Sequence, residues 1–240
     1  MRRLILFDVD GTLIARGDPV HIAAIDASVT SSFPSLGVSI RDIEFDGKVD
    51  RQILRDLVRA GGVSDDLDPS LLLTMIEAAT RSYREAWTGR LGDADLLPGV
   101  RGLIQRLAAL DEFALGLLTG GIRGIVDAKM TRLGLERFFP IGAFGDEVER
   151  RVELLHLALE RAHVRYHVQF APEDVVVVGD TPRDVEASHS GNVACVGVAT
   201  GRFTEAELSS AGADAVLSDL TATDDVVELL RTVRRSPVTG

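Results

Sequence analysis

Two rhythms of apolar positions run along the chain. From about residue 99 onward, short unbroken apolar runs alternate with longer stretches in which apolar residues recur every three to four positions. FALGLLT, PIGAF, VVVVGD, ACVGVAT and AVLSDL lack the strict apolar/polar alternation of a half-exposed sheet, so they read as strands covered on both faces. VRGLIQRLAAL, IRGIVDAKMTRLGL, RVELLHLALERAHV, a segment from Pro182 to about His189, EAELSSAG and DDVVELLRTVR carry helical spacing. This β-α-β-α order predicts right-handed crossovers and an α/β fold with a doubly wound parallel sheet. One more buried strand, LILF at residues 4–7, lies ahead of the series, and SPVTG at the far end is expected to fray.

Residues 15–95 break the alternation. VHIAAIDASVTSSF, DRQILRDLVRAGG and PSLLLTMIEAATRSYREAW are amphipathic helices, and no convincing strand lies among them. A single βα crossover needs only a dozen or so residues, so this segment is expected to be a helical insertion after the first strand. Residues 1–14 and 96–240 then form the larger α/β core domain and 15–95 a smaller helical domain.

Composition narrows the setting. A chain of 240 residues with 45% apolar and 26% charged residues suits a globular protein with a sizeable core. A net charge of −11 and a pI near 4.9 disfavour nonspecific binding to nucleic acid or anionic membranes, so an anionic substrate needs a local positive site. The single cysteine, Cys195, rules out an intrachain disulfide and sits in an apolar run as a small buried hydrophobe. The start MRRLILFDVDG is basic then apolar, but Asp8 cuts the apolar run far short of a signal peptide, and no stretch approaches about 20 apolar residues. A cytoplasmic location is the default expectation.

The chemistry begins where LILF runs into Asp8 and Asp10. Period-two alternation places both carboxylates on the same side of the strand end, where like charges need a cation or a shared proton. Ligands of open parallel sheets bind outside the carboxyl ends of the strands, and two more strands end in polar residues: Thr119 with Gly120 and Gly121, and Asp180 with Thr181 and Asp184. Carboxylates without nearby histidine or thiolate suit a hard dication such as Mg²⁺, and the Thr-Gly-Gly turn before a helix is an anion site. Metal and anion together point to phosphate chemistry. For Thr119 a helix N-cap is an alternative reading, and Asp184 also suits the first turn of its helix.

FDVDGTL, LLTG and VVVVGDTPRDVEAS, in this order and each at a strand end, resemble the first, second and fourth motifs of the haloacid dehalogenase superfamily in its phosphatase branch. The helical insertion is similar in position to the cap of its phosphoglycolate-phosphatase-like members. The resemblance implies a Mg²⁺-dependent phosphatase acting on a small phosphorylated metabolite through an aspartyl-phosphate. By the same resemblance, Asp8 is the nucleophile and a metal ligand, and Asp10 the general acid and base, with its carbonyl on the metal. Thr119 and Gly120 hold phosphoryl oxygens, Asp180 ligates the metal, and Asp184 binds it or orients its water. An acid at position 10 argues for phosphoryl transfer over dehalogenation, because a halide leaves without a proton.

One element of that pattern is absent. A lysine is expected shortly before the helix that precedes VVVVGD, and FGDEVERRVELL has none. With 24 arginines against two lysines, Lys48 and Lys129, the substitute is expected to be Arg151 or its neighbour Arg150, whose guanidinium can grip phosphate bidentately. Lys129, in mid-helix, is expected to face solvent. Within the cap, FDGKVDRQI makes Lys48, Asp50 and Arg51 candidates for reading the leaving group, although Asp50 equally suits the N-cap of its own helix. His21, His156, His163, His167 and His189 lack ligand spacing and read as surface or helix-end residues, and Trp87 and Tyr83 read as core of the inserted helices. A phosphomutase or phosphotransferase of the same fold and a weakened phosphate-binding regulatory protein are the alternatives. A phospho-receiver domain would also group acids around Mg²⁺, but has no need of the insertion. Phosphoglycolate, sugar phosphates, nucleotides and pyrophosphate all stay open as substrates, and the protein is expected to be a monomer or homodimer without nucleic-acid or membrane partners.

Overall fold

The computed structural model describes residues 2–64, 67–86 and 95–236. Six parallel strands make one sheet: β1 (Arg3–Phe7), β2 (Phe113–Leu118), β3 (Gly142–Ala143), β4 (Val175–Gly179), β5 (Ala194–Val198) and β6 (Ala215–Leu217), in the order β3-β2-β1-β4-β5-β6. This is the doubly wound, Rossmann-like order, in which connections leave the central strand in both directions. β1 pairs on one side with β2, Leu6 opposite Gly116, and on the other with β4, Leu6 opposite Val177. The strand order reverses between β1 and β4, so a crevice opens beyond their carboxyl ends.

The unbroken apolar runs are explained by burial on both faces. Ile5 and Phe7 pack with α4 (Val100–Ala108), α5 (Arg123–Leu133) and α9 (Thr223–Thr232), while Leu4 and Leu6 pack with α6 (Glu153–Tyr166). Helices α7 (Pro182–Ser190) and α8 (Glu205–Ser210) complete the crossovers to β5 and β6. PIGAF yields only two strand residues, Gly142 and Ala143, because β3 is an edge strand with one partner. The final segment is not wholly frayed: the Ser236 N–H donates to Asp214 at 2.6 Å and Arg235 to the same oxygen at 3.1 Å, while 237–240 lie outside the described residues.

The insertion holds α1 (Pro19–Ser32), α2 (Asp50–Ala60) and α3 (Pro69–Ala86). Their apolar faces form a separate core from Ile25, Leu54, Leu57, Leu72, Met75 and Tyr83, to which α5 adds Ile125 and the residue before it in the chain's approach, Ile122. Entry and exit run side by side: Ile14 bridges Leu96 antiparallel, and the Leu97 N–H donates to the Leu13 carbonyl at 3.0 Å. Trp87 lies outside the described residues; Tyr83 is fully buried in this core.

After the exit the chain turns through Gly99, at φ +83°, into α4, and a Cβ there would stand 2.0 Å from the Leu220 carbonyl oxygen. Gly99→Ala combines left-handed strain with a clash against backbone that cannot rotate away. It is expected to cost about 2–4 kcal/mol of unfolding free energy, read as a lower urea midpoint at unchanged m-value.

Candidate active site

β1 ends at Phe7, and the next residues turn over the crevice. The Asp8 N–H extends the ladder to the Val178 carbonyl at 2.9 Å, whereas the Val9 carbonyl accepts from Leu13 and Ile14 at 2.9 and 3.0 Å. This turn separates the two acids. Asp8 pairs with Arg151, Nη2 to Oδ1 at 2.9 Å, from the segment leading into α6; Asp10 pairs with Lys129 on α5, at 2.7 and 3.0 Å. Regular strand geometry stops at Phe7, so the two acids take different cationic partners, from segments on opposite faces of the sheet, while both line the same pocket.

Asp8, Asp180 and Asp184 each offer a carboxylate oxygen within 4.8 Å of the others, and all three are buried. Asp180 follows β4 and is cradled by glycines: a Cβ on Gly11 would lie 2.3 Å from its carboxylate, and one on Gly201 1.7 Å. Asp184 serves twice. Its Oδ2 completes a capping box with Thr181, accepting from the hydroxyl at 2.7 Å, and its Oδ1 binds Arg151, whose Nε stands 3.1 Å away. Arg151 therefore joins Asp8 to Asp184. Arg150 is exposed and pairs with Glu153 at 3.1 Å.

Thr119 is buried beyond β2, its Oγ1 accepting from the Gly121 N–H at 3.3 Å. It does not cap α5, whose N-cap position is Ile122. Gly120 allows a close approach: a Cβ would stand 2.4 Å from the Lys48 carbonyl oxygen, and the Asp50 N–H donates to the Gly120 carbonyl at 2.7 Å. The insertion is thus seated directly on this turn. A pocket of about 110 Å³ results, lined by Asp8, Asp10, Thr119, Gly120, Arg151 and Asp180 below, and by His21, Phe45, Lys48 and Asp50 above.

Residues 5–198 match the family model of haloacid dehalogenase-like hydrolases. The chain belongs to this family. A protein named phosphoglycolate phosphatase from Synechococcus elongatus is 26% identical over 197 residues, covering 82% of this chain and 84% of the relative. Another of that name from Pseudomonas putida is 26% identical over 226 residues, covering 92% and 78%. A β-phosphoglucomutase structure from Clostridium difficile superposes with a TM-score of 0.69 over 96% of this chain and 98% of that one, at 16% identity, a likeness of fold.

In this hydrolase the acid cluster is electrostatically loaded. Burial pushes the Asp8 carboxyl up to about 7, against the pull of Arg151 and with repulsion from Asp184 and Asp10. Burial, then repulsion from Asp8 and Asp184, pushes Asp180 up to about 8. Three acceptor-only carboxylates this close fit a divalent cation, which replaces protons and relieves the repulsion together. Burial would lower Arg151 and Lys129, but their carboxylate partners outweigh it and hold both above their ordinary values.

Three sequence expectations are corrected. Lys129 does not face solvent: it is 0% exposed and contacts Asp10, His21 and Asp18. A signal existed, since Ile122, Ile125, Val126, Lys129, Met130 and Leu133 form one stripe at helical spacing, with the lysine inside it. His21 lies in the pocket wall, Nε2 2.9 Å from Asp50 and Nδ1 3.3 Å from Lys129. Asp50 does not cap α2, whose N-cap is Val49; its carboxylate instead accepts from the Ile122 N–H at 2.8 Å. Of the cap candidates, Lys48 lines the pocket and pairs with Asp56 at 2.7 Å. Arg51 reaches away, to Glu149 at 2.7 Å and the Asp146 carbonyl at 3.2 Å. His156 is exposed and His163 and His167 sit at the end of α6, while His189 is half-buried beside Asp214. Cys195 is buried in β5. Among the described residues no helix is long and apolar enough to cross a membrane.

The raised carboxyls carry a linkage consequence. An unfolded chain releases these protons near pH 3.8, whereas the metal-free native state keeps them until about 7 and 8. Between those limits the native state binds more protons, so metal-free stability falls as pH rises through the window. A divalent cation held by these carboxylates would have to displace those protons at the acid end but not at the alkaline end. Added Mg²⁺ is therefore expected to raise the thermal midpoint clearly more at about pH 8.5 than at about pH 5.5. Equal shifts in a thermal-unfolding series would contradict this charge assignment.

Proposed function

We propose that this chain is a Mg²⁺-dependent phosphatase that hydrolyses a small phosphate monoester through an aspartyl-phosphate on Asp8. The observation that carries the reading is the division of labour among the acids: Asp8, Asp180 and Asp184 each offer a carboxylate oxygen within 4.8 Å of the others, whereas Asp10 lines the same pocket but is paired with Lys129. Asp8, Asp180 and Asp184, with the Asp10 backbone carbonyl, would hold the ion, which offsets negative charge on the phosphoryl oxygens. One Asp8 oxygen attacks phosphorus in line with the leaving oxygen, and Asp10 gives that oxygen its proton. Asp10 then takes a proton from water as the water attacks the acyl phosphate, releasing inorganic phosphate and restoring Asp8. Thr119 and the Gly120 turn bind phosphoryl oxygens, and Arg151, already on Asp8, neutralises the charge that accumulates there.

The small cavity supports a small substrate: a dry cavity of about 150 Å³ suffices for benzene. Residues 15–95 form the cap and 1–14 with 96–240 the core, hinged where Ile14 and Leu96 meet. In the cap, Lys48 and Asp50 are the groups that meet the leaving alcohol. Phosphoglycolate is the first substrate to test, on the names of the curated relatives. Arg151 on Asp8 supplies the cation whose loss the weakened regulatory reading required.

A panel of small phosphomonoesters, assayed for inorganic phosphate with Mg²⁺ and with chelator, tests the reading. Turnover is expected only with the metal and is lost to background in Asp8→Asn. Asp10→Asn is expected to lower kcat/KM for alkyl esters by about 10²–10⁴-fold. Transfer of the phosphoryl group to a second hydroxyl in place of water would identify a mutase, and no turnover by a folded, metal-binding protein would refute the enzyme.

A further inference from the structure

Behind Asp10 lies a buried cluster that the reaction steps above do not use. Lys129 Nζ stands 2.7 and 3.0 Å from the two Asp10 oxygens, 3.3 Å from His21 Nδ1 and 3.5 Å from Asp18 Oδ2. An ammonium only donates, so Nδ1 of a neutral His21 accepts and its proton sits on Nε2, which donates to Asp50. Asp50 is anchored by the Ile122 N–H, and Asp18 by the Val20 N–H at 2.9 Å and the Tyr83 hydroxyl at 3.0 Å. The three ammonium protons are thus directed at the two Asp10 oxygens and His21 Nδ1, with Asp18 adding an ion pair, and this set of partners fixes the Lys129 side chain. Its partners come from different places: Asp10 from the end of β1, His21 from α1, Asp18 from that helix's N-cap, and through His21 and Asp18 also α2 and α3.

We propose that Lys129 is a positioning residue for Asp10: it fixes the carboxylate that moves the proton, and does so only while the inserted helices are docked, because they supply the rest of its partners. The inference rests on the phosphatase reading of Asp10. The side chain of Asp10 is 27% exposed at the pocket, so without this grip it has room to rotate away from the leaving oxygen. A lysine that only staples the insertion to α5 would support every substrate alike. One that aims the acid matters only where the leaving group needs a proton.

The experiment sets two esters side by side in wild type, Lys129→Met and His21→Leu. One is para-nitrophenyl phosphate, whose leaving group departs as an anion; the other is ethyl phosphate, whose alkoxide needs a proton. The quantity read for each is kcat/KM, which reports steps up to departure of the leaving group, before water attack. In Lys129→Met the ethyl-to-aryl ratio is expected to fall about 10²-fold, and in His21→Leu to fall less in the same direction. Both esters are measured on one preparation, so an unfolded fraction cancels in the ratio; should Lys129→Met yield no folded protein, His21→Leu decides. A ratio unchanged or raised overturns the inference while leaving the phosphatase reading intact. A wild type that hydrolyses neither of these esters nor any member of the phosphomonoester panel overturns both.

Discussion

Buried carboxylate charge is the constraint around which the molecule is arranged. Asp8, Asp180 and Asp184 sit where the central strands β1 and β4 end, within 4.8 Å of one another, at a depth where an unpaired carboxylate costs several kcal/mol. Each relief comes from a different part of the chain. Arg151 reaches in from the start of α6 to bridge Asp8 and Asp184, Lys129 rises from α5 to meet Asp10, and glycines at 11 and 201 let backbone close over Asp180. Because α5 and α6 lie on opposite faces of the sheet, both layers must be in place before the acids can be buried.

The same charges tie the inserted helices to the core. Two kinds of contact bind their apolar core down: Ile122 and Ile125 enter it from the start of α5, and Asp50 makes backbone and side-chain bonds to Gly120 and Ile122. Arg51 adds a bond to the loop before α6. The roof of the pocket is thereby keyed to the turn after β2 and to the cation behind Asp10, so the position of the insertion and the polarity of the pocket are set by one network. In the proposed reaction this lets a small cavity of mostly fixed dipoles and charges exclude bulk water around the phosphoryl group.

How much was legible in the sequence depended on the range of the interaction. The strands and helices of the core followed from apolar runs and helical spacing, since local periodicity reflects which faces are covered, and the strand-end acids followed because no apolar core tolerates such residues without a purpose. PIGAF failed as a full strand because an edge position offers one partner. Arg151 stood out over Arg150 only once α6 was placed: neighbouring residues point in different directions, one into the crevice and one to Glu153. Lys129 was misjudged because a lone lysine in a helix usually faces water, although its place in an apolar stripe marked it as buried.

The sequence by itself determined the α/β alternation, the insertion after the first strand, the acids at two strand ends and the Thr-Gly-Gly turn at a third, because each is written in residues close together along the chain. Only the tertiary structure decided that Asp8 and Asp10 turn to different cations, that Asp50 holds Ile122 and His21 instead of capping its own helix, that His21 lines the pocket and that Lys129 is buried behind Asp10. Those pairings span from 29 to 143 positions, as the numbers of His21 with Asp50 and of Asp8 with Arg151 show. Pairs that distant are chosen by charge compensation across packed layers, and the local pattern holds no trace of it.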